Sequence, residues 1–188
     1  AEVASTFNEA LLADYMFNNL DDKKQKLYLL NEQLEGFRGT VFRQTMFAEF
    51  EHAIHTLKES GQPLTAGKLN EVYGELNKKY FGEAVSYDDI IDVEWARIPH
   101  FYMNYYVYQY ATGYAAAASL SKQVLEEGEN TAQRYIDEFL KKGSSNYPIE
   151  ILKNAGVDMT TSQPVENALA VFEAQLKQFE ELMDELEK

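Results

Sequence analysis

Apolar residues recur every three or four positions along most of the chain, the spacing of one buried helix face. The clearest run covers about residues 22–57, where Leu27, Leu30, Leu34, Phe37, Val41 and Phe42 keep helical register. One long helix is expected there. Gly36 and Gly39 fall inside it, where they would bend it or admit a close neighbour. A first helix is expected over about residues 2–19 and a third over about 65–80, after the turn SGQP at 60–63. The segment FGEAVSYDDI (81–90) reads as irregular, with a weak strand candidate at 84–87. A fourth helix is expected from about 99 to 127, stopped by Gly128, and another over about 131–142. The run PIEILKNAG reads as a short helix closed by Gly156. A last helix follows Ser162, with Pro164 and Glu166 in its first turn. Each of the four prolines (Pro63, Pro99, Pro148, Pro164) falls at a helix start or connection. The expected fold class is all-α, a multi-helix bundle forming a single domain over residues 1–188.

A chain of 188 residues is long enough to bury roughly 70% of its unfolded surface. Hydrophobic content of 45% excludes a disordered chain. A net charge of −14 argues against nucleic acid, which needs clustered cations, and against an anionic membrane surface. Without cysteine there is no thiolate nucleophile or thiolate metal site, and a reducing compartment is favoured. The longest uncharged run, 101–121, is rich in Tyr, Gln, Asn and Thr, so neither a membrane span nor a signal peptide is expected. The chain opens AEVASTFNEALL, with no Met and no polar leader, already inside an expected helix. That sets the expectation of a piece of something longer.

Three places hold candidate chemistry. Glu2 and Glu9 lie seven residues apart, two turns on one helix face. They are either solvated glutamates or, among apolar neighbours, ligands to a cation. In FAEFEHAIH (47–55), Glu49 and His52 have the E-x-x-H spacing of di-iron carboxylate bundles, but no second such pair exists. The plain alternative is an ordinary helix surface. In HFYMNYYVYQYATGY (100–114), six tyrosines fall within thirteen positions behind His100. On one helix Tyr102, Tyr106, Tyr110 and Tyr114 would form a drifting stripe with Tyr105 beside it. Such a stripe either packs in a core or lines a polar cleft. A wholly buried one would need a partner for every hydroxyl.

AEVASTFNE followed by PHFYxNYYVYQYATG resembles the oligoendopeptidase F family, relatives of thimet oligopeptidase among the zinc metallo-oligopeptidases. FAEFE (47–51) and AGVDMT (155–160) are similar to the same family, and the resemblance spans essentially the whole chain. It implies the C-terminal portion of a helical zinc-peptidase catalytic domain, cytoplasmic, acting on short peptides. In that family two histidines of an H-E-x-x-H helix and a later glutamate hold one zinc ion. The resemblance therefore implies Glu2 as third zinc ligand, with Glu9 orienting it. It likewise implies His100, Tyr106 and Tyr110 as donors to the scissile carbonyl and its oxyanion, Tyr105 being the alternative to Tyr106. This sequence departs from the family in lacking H-E-x-x-H: His52 and His55 are H-x-x-H, with no Glu beside the first. The motif is expected upstream of Ala1, and the chain alone is expected to be inactive and weak for zinc. Its partners are then short peptides and the missing upstream segment. Exposed apolar surface is expected where that segment docks. The rivals are a di-iron bundle built from Glu49, His52, Glu2 and Glu9, or a non-catalytic helical interaction module.

Overall fold

The computed structural model describes residues 2–187. It is helical throughout, with no strand among the described residues, so the segment 84–87 is not one. The helices are α1 (Val3–Asn19), α2 (Lys23–Phe37), α3 (Arg43–Glu59), α4 (Ala66–Phe81), α5 (Tyr108–Glu127), α6 (Glu129–Glu138), α7 (Pro148–Asn154) and α8 (Gln163–Leu186). A π-helical stretch, Arg38–Phe42, separates α2 from α3, and 3₁₀ turns cover Asp89–Arg97, Pro99–Tyr102 and Leu140–Lys142. The expected helix over 22–57 is thus three consecutive helical segments. One wide turn leaves the apolar spacing almost unchanged, which is why periodicity alone does not show it. A side chain at Gly36 or Gly39 would meet nothing within 4 Å, so neither glycine serves close packing.

Two compact units form. One comprises the described residues up to Phe37 with those from Thr112 onward; the other is Arg38–Ala111. In the first, the ATGYAAAAS stretch of α5 presents Ala115, Ala116, Ala117 and Ala118 as fully buried small residues. Leu120, Leu152 and Val157 complete that core around the stacked rings of Phe7 and Tyr135, 3.8 Å apart. Phe37 joins α2 to α8 by stacking on Phe172 at 4.6 Å. The end of α7 is a six-residue lock. Gly156 adopts φ +107, its amide donates to the Lys153 carbonyl, and the Val157 amide donates to the Leu152 carbonyl. Arg134 and Gln123 then bond the Ala155 and Gly156 carbonyls.

The Arg38–Ala111 unit has an aromatic core. Phe50 meets Tyr73 edge-on at 5.2 Å and Phe101 at 5.1 Å, and Met46, Phe47, Ile98 and Val107 fill the space between. Aromatic pairs of this kind contribute about 0.5–1.5 kcal/mol each beyond burial. The nine-residue 3₁₀ run Asp89–Arg97 is longer than such helices usually persist, and side chains hold it. The Tyr73 hydroxyl donates to Glu94 at 2.6 Å and Arg43 to the same carboxylate at 2.7 Å, with Arg97 as a further donor. The Trp95 indole N–H donates to Asn70 of α4 at 2.8 Å. This run ends at Ile98 and delivers the chain to Pro99 and His100.

Two outcomes follow for stability. Gly156→Ala places a Cβ in the left-handed region and 2.9 Å from Gln123 Oε1, and should lower stability by about 1–2 kcal/mol in urea unfolding. Burial alone would raise the Glu94 carboxyl, but the Tyr73 hydroxyl and Arg43 outweigh it and hold the group below the usual carboxylate range. A depressed folded value gives stability that is complete above the unfolded value of about 4.5 and is lost as pH falls through the folded one. Acid unfolding followed by the fluorescence of Trp95, the single tryptophan, should therefore show stability declining below about pH 4.5. Glu94→Gln should start less stable and flatten that decline.

Candidate functional site

The tyrosine block does not form one helix from Pro99, and the four-residue stripe is corrected accordingly. Pro99 begins a single 3₁₀ turn that ends at Tyr102, whose side chain is 81% exposed. The backbone then enters the left-handed region twice without glycine, at Asn104 (φ +46) and Tyr105 (φ +57). Only after Val107, wholly buried, does α5 begin at Tyr108. Tyr110 and Tyr114 share that helix, but Tyr114 packs edge-on against Phe37 at 5.3 Å. Helix propensity did not decide the outcome. The aromatic core takes Val107 into its interior and Phe101 against its side.

That excursion from helix brings three expected site residues together. The Tyr110 hydroxyl lies 3.3 Å from His100 Nε2. The Tyr106 ring is nearly parallel to the imidazole at 5.8 Å and nearly perpendicular to Tyr110 at 5.7 Å. The three rings form a triangle with sides between 5.7 and 5.9 Å. Tyr105 is not part of it. Its ring lies 4.5 Å from that of His55 on α3. Of the two adjacent tyrosines, Tyr106 lies beside His100 and Tyr105 beside His55.

Glu2 and Glu9 belong to the other unit. Glu2 sits at the N-cap position of α1 without a side-chain cap bond and is exposed, its Oε2 accepting from the Ser5 hydroxyl at 2.8 Å. Glu9 is exposed on the same helix, and its charge adds to burial in pushing the Tyr114 phenol up. An exposed carboxylate at a helix start has the chemistry of one zinc ligand. One donor is not a site, and no group of three or more His, Cys, Asp or Glu among the described residues could hold a metal. In the E-x-x-H pair, Glu49 is engaged by a lysine and His52 is exposed. Both Glu49 carboxylate oxygens accept from Lys79 Nζ, at 2.8 and 2.9 Å, and the group is held below the usual range chiefly by that contact. The neighbouring Tyr80 phenol is pushed up to about 12 by burial and by Glu49. The di-iron reading has no support in this arrangement.

One residue near the triangle was not singled out from sequence. Glu51 on α3 is only 1% exposed, and its Oε1 accepts the Tyr105 amide at 2.6 Å. Left-handed backbone costs about 1–2 kcal/mol per non-glycine residue. The Glu51 acceptor and the burial of Val107 both work against that cost. The signal was present: in FAEFE, Glu51 follows Phe47 at four residues and Phe50 at one, so it falls on the buried face. A glutamate there demands a partner.

A model of the family described as "Peptidase family M3" matches residues 1–171. The chain is 64% identical over 183 residues to "Oligopeptidase PepF" of Bacillus subtilis (strain 168), covering 97% of this chain and 27% of that protein. It is 47% identical over 183 residues to "Group B oligopeptidase PepB" of Streptococcus agalactiae serotype III (strain NEM316), covering 97% and 30%. The crystal structure of oligoendopeptidase-F from Enterococcus faecium superposes with a TM-score of 0.93 at 50% identity, over 98% of this chain and 35% of that one. The chain thus spans about a third or less of the length of these relatives.

Replacing Tyr110 by Phe removes the hydroxyl facing His100 while keeping the ring packing. Its unfolding midpoint in urea should stay close to that of the unaltered chain, since an exchangeable, part-buried bond of this kind contributes about 0.5–1.5 kcal/mol. A larger loss would mean that the hydroxyl serves the fold.

Proposed function

The chain belongs to peptidase family M3, and on that premise we propose that it is the C-terminal part of the catalytic domain of a zinc-dependent oligopeptidase. The whole protein hydrolyses internal bonds of short peptides. The observation that carries this reading is the His100–Tyr106–Tyr110 triangle, assembled by a non-helical segment inside an otherwise helical chain.

Peptide hydrolysis needs donors aimed at the oxygen that gains charge as the carbonyl carbon becomes tetrahedral. Phenols suit this role. At pH 7 they are neutral O–H donors that neither compete as bases nor bind the substrate as ions. In this reading Tyr106 and Tyr110 present hydroxyls to the developing oxyanion, and His100 donates from its ring to a substrate carbonyl. The Tyr110–His100 contact sets the orientation of both groups before substrate arrives, so little reorganisation is needed during the reaction. Tyr105, turned toward His55, takes no part. Glu2 is assigned as the third zinc ligand of the whole protein, with Glu9 orienting it. A zinc ion held by Glu2 together with an upstream H-E-x-x-H segment would supply an activated water. The remaining tyrosines of the block pack or meet solvent.

The same reading gives the partners. Short peptides and the upstream catalytic segment bind this chain; a nucleic acid or an anionic membrane surface does not, given the net charge of −14. No helix among the described residues is long and apolar enough to cross a membrane. The cytoplasm is the proposed compartment, in keeping with the absence of cysteine.

The purified chain alone should hold well under one zinc per molecule by elemental analysis and should not cleave a quenched fluorescent peptide. Joined to the upstream segment it should do both. In that joined protein, Tyr110→Phe and Tyr106→Phe should each lower kcat by about 10²-fold with KM changed less than about threefold. Stoichiometric zinc and cleavage by the chain alone, or phenylalanine variants with unchanged kcat, would overturn the assignment.

A further inference from the structure

We propose that Glu51 is a positioning residue for the peptidase site: its buried carboxylate, by holding the Tyr105 amide, fixes the left-handed Asn104–Tyr105 turn and so sets Tyr106 against His100. The inference rests on the function proposed above for the triangle, and it adds a residue on α3, outside the three rings.

Three independent features converge on it. The first is burial. Glu51 is 1% exposed on a helix whose neighbouring positions, Phe47 and Phe50, fill an aromatic core. A carboxyl is expensive to place there, and packing alone would be served better by leucine. The second is what it bonds. Its Oε1 takes a backbone amide at 2.6 Å, and that amide belongs to Tyr105, the second of two successive non-glycine residues at positive φ. A turn of this kind has no ladder or helical partner for its N–H groups. A buried acceptor therefore decides which conformation the turn takes. The third is the order of residues. Tyr105 and Tyr106 are adjacent, so the backbone angles at Tyr105 determine where the Tyr106 ring emerges. With Tyr105 held over His55, Tyr106 emerges on the side of His100 and Tyr110. If the turn relaxed toward helix, Tyr106 would leave that position, while Tyr110, already within α5, would stay.

Loss of the anchor should therefore act on turnover and spare peptide binding. It should also act on one amide in particular. The test uses the whole protein carrying this chain, with Glu51→Gln, Glu51→Asp and Glu51→Ala. Gln keeps an acceptor oxygen at the same reach. Asp withdraws it by one methylene with little change in core volume, which secures the test if Ala fails to fold. Two readouts are taken: hydrogen exchange across residues 103–107, and kcat and KM on a quenched peptide. The expected result for Asp is exchange at Tyr105 faster by about tenfold or more, with exchange in α3 and α4 unchanged. Its kcat should fall about 10–100-fold, with KM within about threefold. Gln should stay within about threefold of the unaltered protein in both. Unchanged exchange at Tyr105 in the Asp variant, or a Gln variant as impaired as Asp, would overturn the anchor. Faster exchange with undiminished kcat would overturn its role in the reaction. An unaltered protein that cleaves no peptide would refute the peptidase reading instead, and the exchange readout would still decide whether Glu51 holds the turn.

Discussion

The structure around the candidate site depends on one constraint: the chain must leave helical geometry between Phe101 and Tyr108 and return to it within a few residues. Phe101 packs against Phe47 and Phe50, and Val107 is wholly buried in the same core. Between these two anchors Asn104 and Tyr105 adopt left-handed backbone, with the Tyr105 amide held by Glu51. The core thus imposes a conformation that the intervening residues would not choose, and the rings it splays apart face two ways. Tyr105 goes to His55, while Tyr106 joins His100 and Tyr110. Strain stored at such a turn is worth its energetic cost when the geometry it fixes has a use.

The approach to this turn is equally constrained. Nine residues of 3₁₀ helix are held by polar contacts, with Glu94 receiving Tyr73, Arg43 and Arg97, and Trp95 tied to Asn70. A buried carboxylate with three donors is a geometrical clamp more than a source of net stability, since desolvation offsets much of the attraction. Its effect is to fix where Ile98 ends and the Pro99–Tyr102 turn begins. The site is therefore supported from below by aromatic packing and from its N-terminal side by a hydrogen-bonded cluster.

Much of this was legible in the sequence. Apolar periodicity located the helices, and Gly156 was readable as the residue past the end of α7, which its φ of +107 and the paired amide bonds satisfy. The resemblance of PHFYxNYYVYQYATG to a peptidase family singles out His100, Tyr106 and Tyr110, with Tyr105 as the alternative to Tyr106. Three features were hidden, each for a physical reason. The π-helical turn at Arg38–Phe42 alters register by too little to show in spacing. The 3₁₀ run Asp89–Arg97 is held by side chains distant in sequence, such as Arg43 and Tyr73. The break in the tyrosine helix is a tertiary override: Tyr, Asn and Met carry no strong helix-stopping signal, and the core decides. Glu51 was discoverable from FAEFE by its register with the phenylalanines, but its partner was not.

The central claim is that His100 and Tyr110 act on the substrate as a unit. A double-mutant cycle on kcat/KM in the whole protein tests it most directly, using His100→Ala, Tyr110→Phe and the pair. Groups that serve one oriented arrangement lose their value together, so the double variant should be about as active as the weaker single one. Losses that multiply, each substitution costing the same whether or not the other is present, would contradict the account and make the contact between them incidental.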